Sequence, residues 1–176
     1  MTGGTIQINR APVLTLWAAV VAERMGFKED EALSLGRCLA GLNAQAKGRR
    51  LGIFKPPAEG VKKAREAARG QEFWVQLCGR PIPAVSTDEG VRAVTGTQPV
   101  DPQRARRYLE SKFGDWLDAA KKAMAKLAAS FEPEELEAKA FSLYEQFRPS
   151  IPGGARGWGA KGALDLDFIV SLAGRQ

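Results

Sequence analysis

Apolar residues wrap almost the whole circumference of the segment 12–25. Between Val13 and Met25 the plainly polar residues are Thr15, Glu23 and Arg24, while Val13, Leu14, Leu16, Trp17, Val20 and Val21 point in nearly every helical direction. A helix that is apolar all round is enclosed by the rest of its protein. Pro12 suits the first helical position, because its missing N–H would have no partner there. Gly26 predicts a left-handed stop, after which Phe27 folds back onto the core. A second helix, over residues 29–47, opens with Glu29, Asp30 and Glu31 at the positive end of its dipole. Leu33, Leu35, Leu39 and Leu42 supply bulk, and Gly36, Ala40, Gly41 and Ala44 form a smooth face. Glycine inside a helix costs about 1 kcal/mol relative to alanine. The face therefore predicts close approach by another helix backbone, either the first helix or a second copy of the chain.

The pattern changes period downstream. Residues 5–8 read as a short strand, and residues 58–69 as a highly charged third helix ended by Gly70. Residues 72–78 have strand composition, with Phe73, Val75 and Leu77 on one face. Gly79, Arg80 and Pro81 turn the chain, and residues 82–85 return as an edge strand because prolines 81 and 83 disfavour a central one. The series Ser86, Thr87, Asp88, Glu89 reads as a capping box and predicts a short helix to Val94. Asp101 and Pro102 open the longest apolar stripe, at three-and-four spacing to Phe131, with Gly114 as a bend. Pro133 opens a further helix. A glycine-rich loop over residues 153–163 follows, and Asp165 or Asp167 caps a last helix to Ala173. The expected fold is mainly α: a compact helical domain of about six helices with a small β-hairpin (residues 72–85) on one side. Residues 1–176 form a single globular domain, with possible sub-parts at 1–55 and 56–176.

Composition narrows the chemistry. A chain of 176 residues with 44% hydrophobic content buries roughly 70% of its unfolded surface and needs no staple. There is no histidine, which removes the commonest general base, His-containing triads and the common zinc sites. Cys38 and Cys78 have no metal-ligand spacing and read as free buried thiols of a reducing compartment. The N-terminus lacks the charged-then-apolar pattern of a signal peptide, and residues 12–25 are too short to span a bilayer. A cytoplasmic protein with no cofactor, metal or membrane partner is expected.

Charge is the strongest functional signal. The net charge is +6, and residues 47–69 account for all of it, with eight basic and two acidic residues. Such concentration is the electrostatic footprint of a phosphate-binding surface; the bland alternative is a solvated helix face. Leu51, Ile53 and Phe54 alternate behind Arg49 and Arg50 and are expected to dock that segment on the body. The loop bearing Arg156 and Lys161 is neither a Walker loop nor a dinucleotide fingerprint, although its glycines suit an anion concavity. A helix-turn-helix register fits residues 22–32 weakly. Its reading helix would begin with Lys28, Glu29, Asp30 and Glu31, and three carboxylates oppose phosphate.

The runs NRAPVLTLWAAVVAERMGF, AGLNAQAKG, RRYLESKFGD and FRPSIPGGARGWGAKGALDLD resemble a family of uncharacterised bacterial proteins of about this length. The resemblance spans most of the chain. It implies a bacterial, intracellular protein and brings no activity and no functional residues with it.

The function expected from the residues is non-catalytic nucleic-acid binding, to DNA with low sequence specificity. Lys47, Arg49, Arg50, Lys55, Lys62 and Lys63 are the phosphate contacts, and Arg156 and Lys161 are secondary ones. The alternative is a homodimeric scaffold built on Gly36, Ala40, Gly41 and Ala44. An enzyme, working through Arg156, Lys161 and a carboxylate such as Asp165 or Asp167, is the least supported class.

Overall fold

The computed structural model describes residues 5–46, 72–95, 98–149 and 161–173, with the side chains of 42–46, 72 and 161 excepted. Its elements are β1 (Thr5–Asn9), α1 (Arg10–Met25), α2 (Glu29–Ala46), β2 (Glu72–Leu77), β3 (Arg80–Thr87), β4 (Gly90–Thr95) and β5 (Gln98–Pro99), then α3 (Pro102–Phe113), α4 (Leu117–Ala129), α5 (Pro133–Phe147), β6 (Lys161–Asp165) and α6 (Leu166–Leu172). The fold is mainly helical, with two small sheets.

Helix α1 is the axis of the molecule. Every residue from Pro12 to Ala22 is buried, as an all-round apolar helix requires. The helix starts at Arg10, two residues before the expected Pro12. At its far end Gly26 adopts φ 118°, and its N–H bonds to the carbonyls of Ala22 and Glu23. Phe27 is buried behind this stop. The neighbours of α1 include α2, α3, α4, α5, β1 and β2. Trp17 donates from Nε1 to the Ala140 carbonyl at 2.9 Å and meets Phe147 edge-on, with ring centroids 5.3 Å apart. An indole buried with its N–H satisfied anchors α1 to α5 without a desolvation cost. Arg24 fastens the other end, donating from Nε and Nη2 to the Phe131 carbonyl.

The sheets correct several expectations. The hairpin over 72–85 is part of a four-stranded antiparallel sheet, ordered β2-β3-β4-β5. The chain turns at Cys78 and Gly79, which take φ 49° and 76° between the paired Leu77 and Arg80. Two successive positive φ values make the tight primed turn whose twist matches flanking strands. The predicted edge strand 82–85 is an inner one. Its prolines fit because the β3–β4 ladder stops at Ala84, so Pro81 and Pro83 pair with β2 alone. No helix forms from Ser86 to Val94. Ser86 lies in β3 opposite Val91, and Thr87 builds the turn instead, accepting from Glu89 N–H and donating to the Gly90 carbonyl at 2.6 Å. A threonine hydroxyl that bonds its own backbone two residues on competes directly with a helical cap.

The long helix is also divided. Gly114 takes φ 57° and ψ −133°, a conformation essentially restricted to glycine. A single 3₁₀ turn, Gly114–Trp116, separates α3 from α4. The short N-terminal strand is present, and its partner is β6, with Thr5 opposite Asp165 and Asn9 opposite Lys161. The segment from Lys161 to Ala163, expected in the glycine-rich loop, is therefore strand. The caps at Asp101 and Asp165 are as expected, accepting from the N–H groups of Gln103 and Phe168. One apolar cluster runs from Ile6 on β1 to Leu172 on α6 and draws on both sheets.

Candidate functional site

Lys47, Arg49, Arg50, Lys55, Lys62, Lys63 and Arg156 lie outside the described residues, as do the expected helix 58–69 and the apolar residues Leu51, Ile53 and Phe54. What is described is how the basic segment is attached. It follows the end of α2 at Ala46 and leads into β2, whose first residue, Glu72, pairs with Val85. Lys161 opens β6 opposite Asn9.

The small-residue face is used within the chain at its first position. A Cβ on Gly36 would stand 2.6 Å from the Thr15 carbonyl oxygen and 3.0 Å from the Ala19 nitrogen of α1. Ala40 is buried, whereas a Cβ on Gly41 would meet nothing within 4 Å. The glycine at 36 thus answers to the α1 backbone. Ala44 lies within α2, beyond the described side chains.

The acidic start of α2 is likewise occupied. Arg106 of α3 reaches Glu29 at 3.1 Å and Asp30 at 3.3 Å, and Lys121 of α4 reaches Glu29 at 3.1 Å and Glu23 at 3.6 Å. Hydrogen bonds from Arg106 and Lys121 hold the Glu29 carboxyl below its ordinary value. The Arg106 guanidinium is raised, chiefly by its hydrogen bond to Glu29. For Lys121, partial burial works against the charge, but Glu29 and Glu23 outweigh it and the ammonium is raised. This is the turn a reading helix would present to a nucleic-acid groove, and here α3 and α4 stand on it.

Glu31, three residues into α2, points inward. Its residue is 1% exposed; Oε1 accepts from Lys28 N–H at 2.8 Å and Oε2 from Val91 N–H at 2.9 Å. One turn on, the buried Ser34 hydroxyl accepts from Ala93 N–H at 2.9 Å and donates to the Val100 carbonyl at 2.8 Å. A further turn on, Cys38 Sγ approaches the Val94 carbonyl at 3.8 Å. These residues form a polar ladder along one helical face, and it serves backbone groups of β4 and its continuation. A buried strand edge must pair its N–H groups, and α2 supplies that pairing from side chains. Sequence reading missed the ladder. Its signal was the pairing of Lys28 with Glu31 at capping-box spacing, followed by serine and cysteine on an otherwise leucine-rich face.

The remaining titratable groups in the core or packed against it are shifted by burial. Burial pushes the thiols of Cys38 and Cys78 up, with Glu137 adding to the effect at Cys78, and both are free. Neither has thiolate character at neutral pH. Burial raises Tyr144 to about 12 and also raises Tyr108, whose ring carries Arg37 at 4.4 Å. Among the described residues no group of three or more Cys, Asp or Glu is placed to hold a metal, and no helix is long and apolar enough to cross a membrane.

No protein-family model, curated protein or solved structure matches this chain.

Proposed function

We propose that the protein binds nucleic acid without catalysis, gripping phosphates through residues 47–69 while the helical body serves as the platform. The observation that carries this reading is the placement of charge. The described residues hold sixteen basic and eighteen acidic side chains, whereas residues 47–69 hold eight basic and two acidic. A polyanion approaching such a chain is drawn to one segment and repelled or ignored elsewhere. The pairings of the body support the same view. Arg10 donates to the Pro149 carbonyl, Arg24 to the Phe131 carbonyl, and Arg106 and Lys121 to carboxylates. Those cations are engaged in holding the fold. Phosphate contacts alone carry no sequence information, so specificity is low and DNA is the proposed partner.

A mobility-shift titration with duplex DNA and with RNA over a range of salt tests the reading. Binding that weakens steeply with salt is expected, and no binding at low salt ends the proposal. The competing reading is a homodimer through Gly36, Ala40, Gly41 and Ala44, indifferent to nucleic acid. Sedimentation with and without duplex separates the two.

A further inference from the structure

A cleft of about 380 Å³ opens between the β3–β4 turn and the start of α3, with Asp30, Thr87, Glu89, Arg92, Asp101 and Gln103 on its walls. Arg92 is the unusual member. Its residue is 8% exposed, yet among the described residues its guanidinium has one hydrogen bond, from Nη1 to the Val91 carbonyl at 3.0 Å, and no ion pair. The one orphaned buried side-chain atom among the described residues is Gln76 Oε1. The other guanidinium nitrogens are thus not among the sealed, unpartnered atoms of the described residues, and Arg92 lines the cleft. A guanidinium taken largely out of water gains strongly from an oxyanion that supplies paired acceptors.

The acidic walls are not equivalent. Asp30 is engaged by Arg106, and Asp101 accepts from Gln103 N–H at 2.9 Å. The Glu31 carboxylate, beside the same Gly90 that Arg92 borders, is held by the N–H groups of Lys28 and Val91. Glu89 is different: it is exposed on the turn, and its carboxylate has no ion pair among the described residues. The cleft thus carries two charged groups of opposite sign that form no ion pair among the described residues, Arg92 deep and Glu89 at the mouth. A phosphate would face the carboxylates of Asp30, Glu89 and Asp101 on the walls with no positive group to offer them. A simple cation would find Arg92 in its way. A ligand with a carboxylate at one end and an ammonium at the other satisfies both.

We propose that this cleft binds a small zwitterion of the α-amino-acid class, its carboxylate on Arg92 and its ammonium toward Glu89. The residues named for this site are distinct in sequence from residues 47–69, so the two proposals are tested by different variants. Calorimetric titration of the full chain with each proteinogenic L-amino acid, and with acetate, methylammonium and inorganic phosphate, tests it. Saturable binding of at least one amino acid at millimolar concentration is expected, with the single-charge probes and phosphate bound far more weakly. Arg92→Met should weaken that binding about tenfold or more, the size of a lost charge-assisted hydrogen bond. If Arg92→Met does not fold, Glu89→Gln, on an exposed turn built from backbone and Thr87, decides the matter through the loss of the ammonium contact. Failure of every amino acid to bind, binding unmoved by Glu89→Gln, or phosphate binding as tight as any amino acid overturns the proposal.

Discussion

Gly36 and Gly41 sit on one helix and make opposite demands. At Gly36 an added methyl would have to displace the Thr15 carbonyl, only 2.6 Å away, whereas at Gly41 it would enter open space. Gly36→Ala is therefore expected to destabilise the fold by about 1–3 kcal/mol, as overpacking does, despite the better helix propensity of alanine. Gly41→Ala is expected to stabilise it by up to about 1 kcal/mol. Urea unfolding of both variants checks the contrast, and equal effects would show that α1 does not set the requirement. Ser34 presents a different residue-scale dependence. Its hydroxyl is the partner of both Ala93 N–H and the Val100 carbonyl. Ser34→Ala leaves those backbone groups without it, at about 1–3 kcal/mol, while Ser111→Ala, on an exposed face of α3, should change stability by less than about 0.5 kcal/mol.

The helices were legible in the sequence because their signals are local. An all-round apolar run, a glycine stop and aspartate caps each act within a turn or two, and they placed α1, α2, α5 and α6 to within a few residues. The β2–β3 hairpin was legible as well, but the extension of its sheet through β4 and β5 was not, for a physical reason. Ser86 to Glu89 offers the same side chains to a helical cap or to a strand turn, and the choice falls to the turn because β4 can pair with β3 and lean on Glu31 and Ser34. Those partners are about 60 residues distant in the chain. The break at Gly114 was visible only as a bend, since the apolar stripe continues through it. Its φ and ψ forbid a Cβ without strain, so Gly114→Ala should cost about 1–3 kcal/mol although the added atom meets nothing. The start of α2 adds a pH dependence. Glu29 is depressed in the folded state by Arg106 and Lys121, so its ion pairs contribute fully above the ordinary carboxylate range. That contribution is lost as pH falls through the lowered folded value. All three side chains are at least a third exposed, so the network is worth at most about 1 kcal/mol. Glu29→Gln should accordingly show a shallower loss of stability on acidification than the parent, with the difference shrinking in high salt.

Across the whole molecule, charge and fold are divided between different parts of the chain. The described body balances its sixteen basic side chains with eighteen acidic ones, and the positive excess belongs to the segment between α2 and β2. This division makes a controlled test possible, because two variants with identical net charge can differ in which part they alter. The first replaces Arg49, Arg50, Lys62 and Lys63 with glutamine. The second replaces Arg104, Arg107, Lys122 and Lys126, which are exposed on α3 and α4, and spares Arg24, Arg106 and Lys121, whose bonds hold the fold. If attraction to polyanions depended on net charge alone, the two variants would lose affinity equally. If phosphates are gripped by residues 47–69, the first loses far more. Each lost contact also removes about 0.9 from the slope of log affinity against log salt on duplex DNA. The first variant should therefore show a flatter salt dependence than the parent, and the second a parallel one. Both should unfold at nearly the parental midpoint in the same buffer, so that a difference in binding is not a difference in folding. Equal losses of affinity with unchanged slopes would remove the basic segment from the proposal.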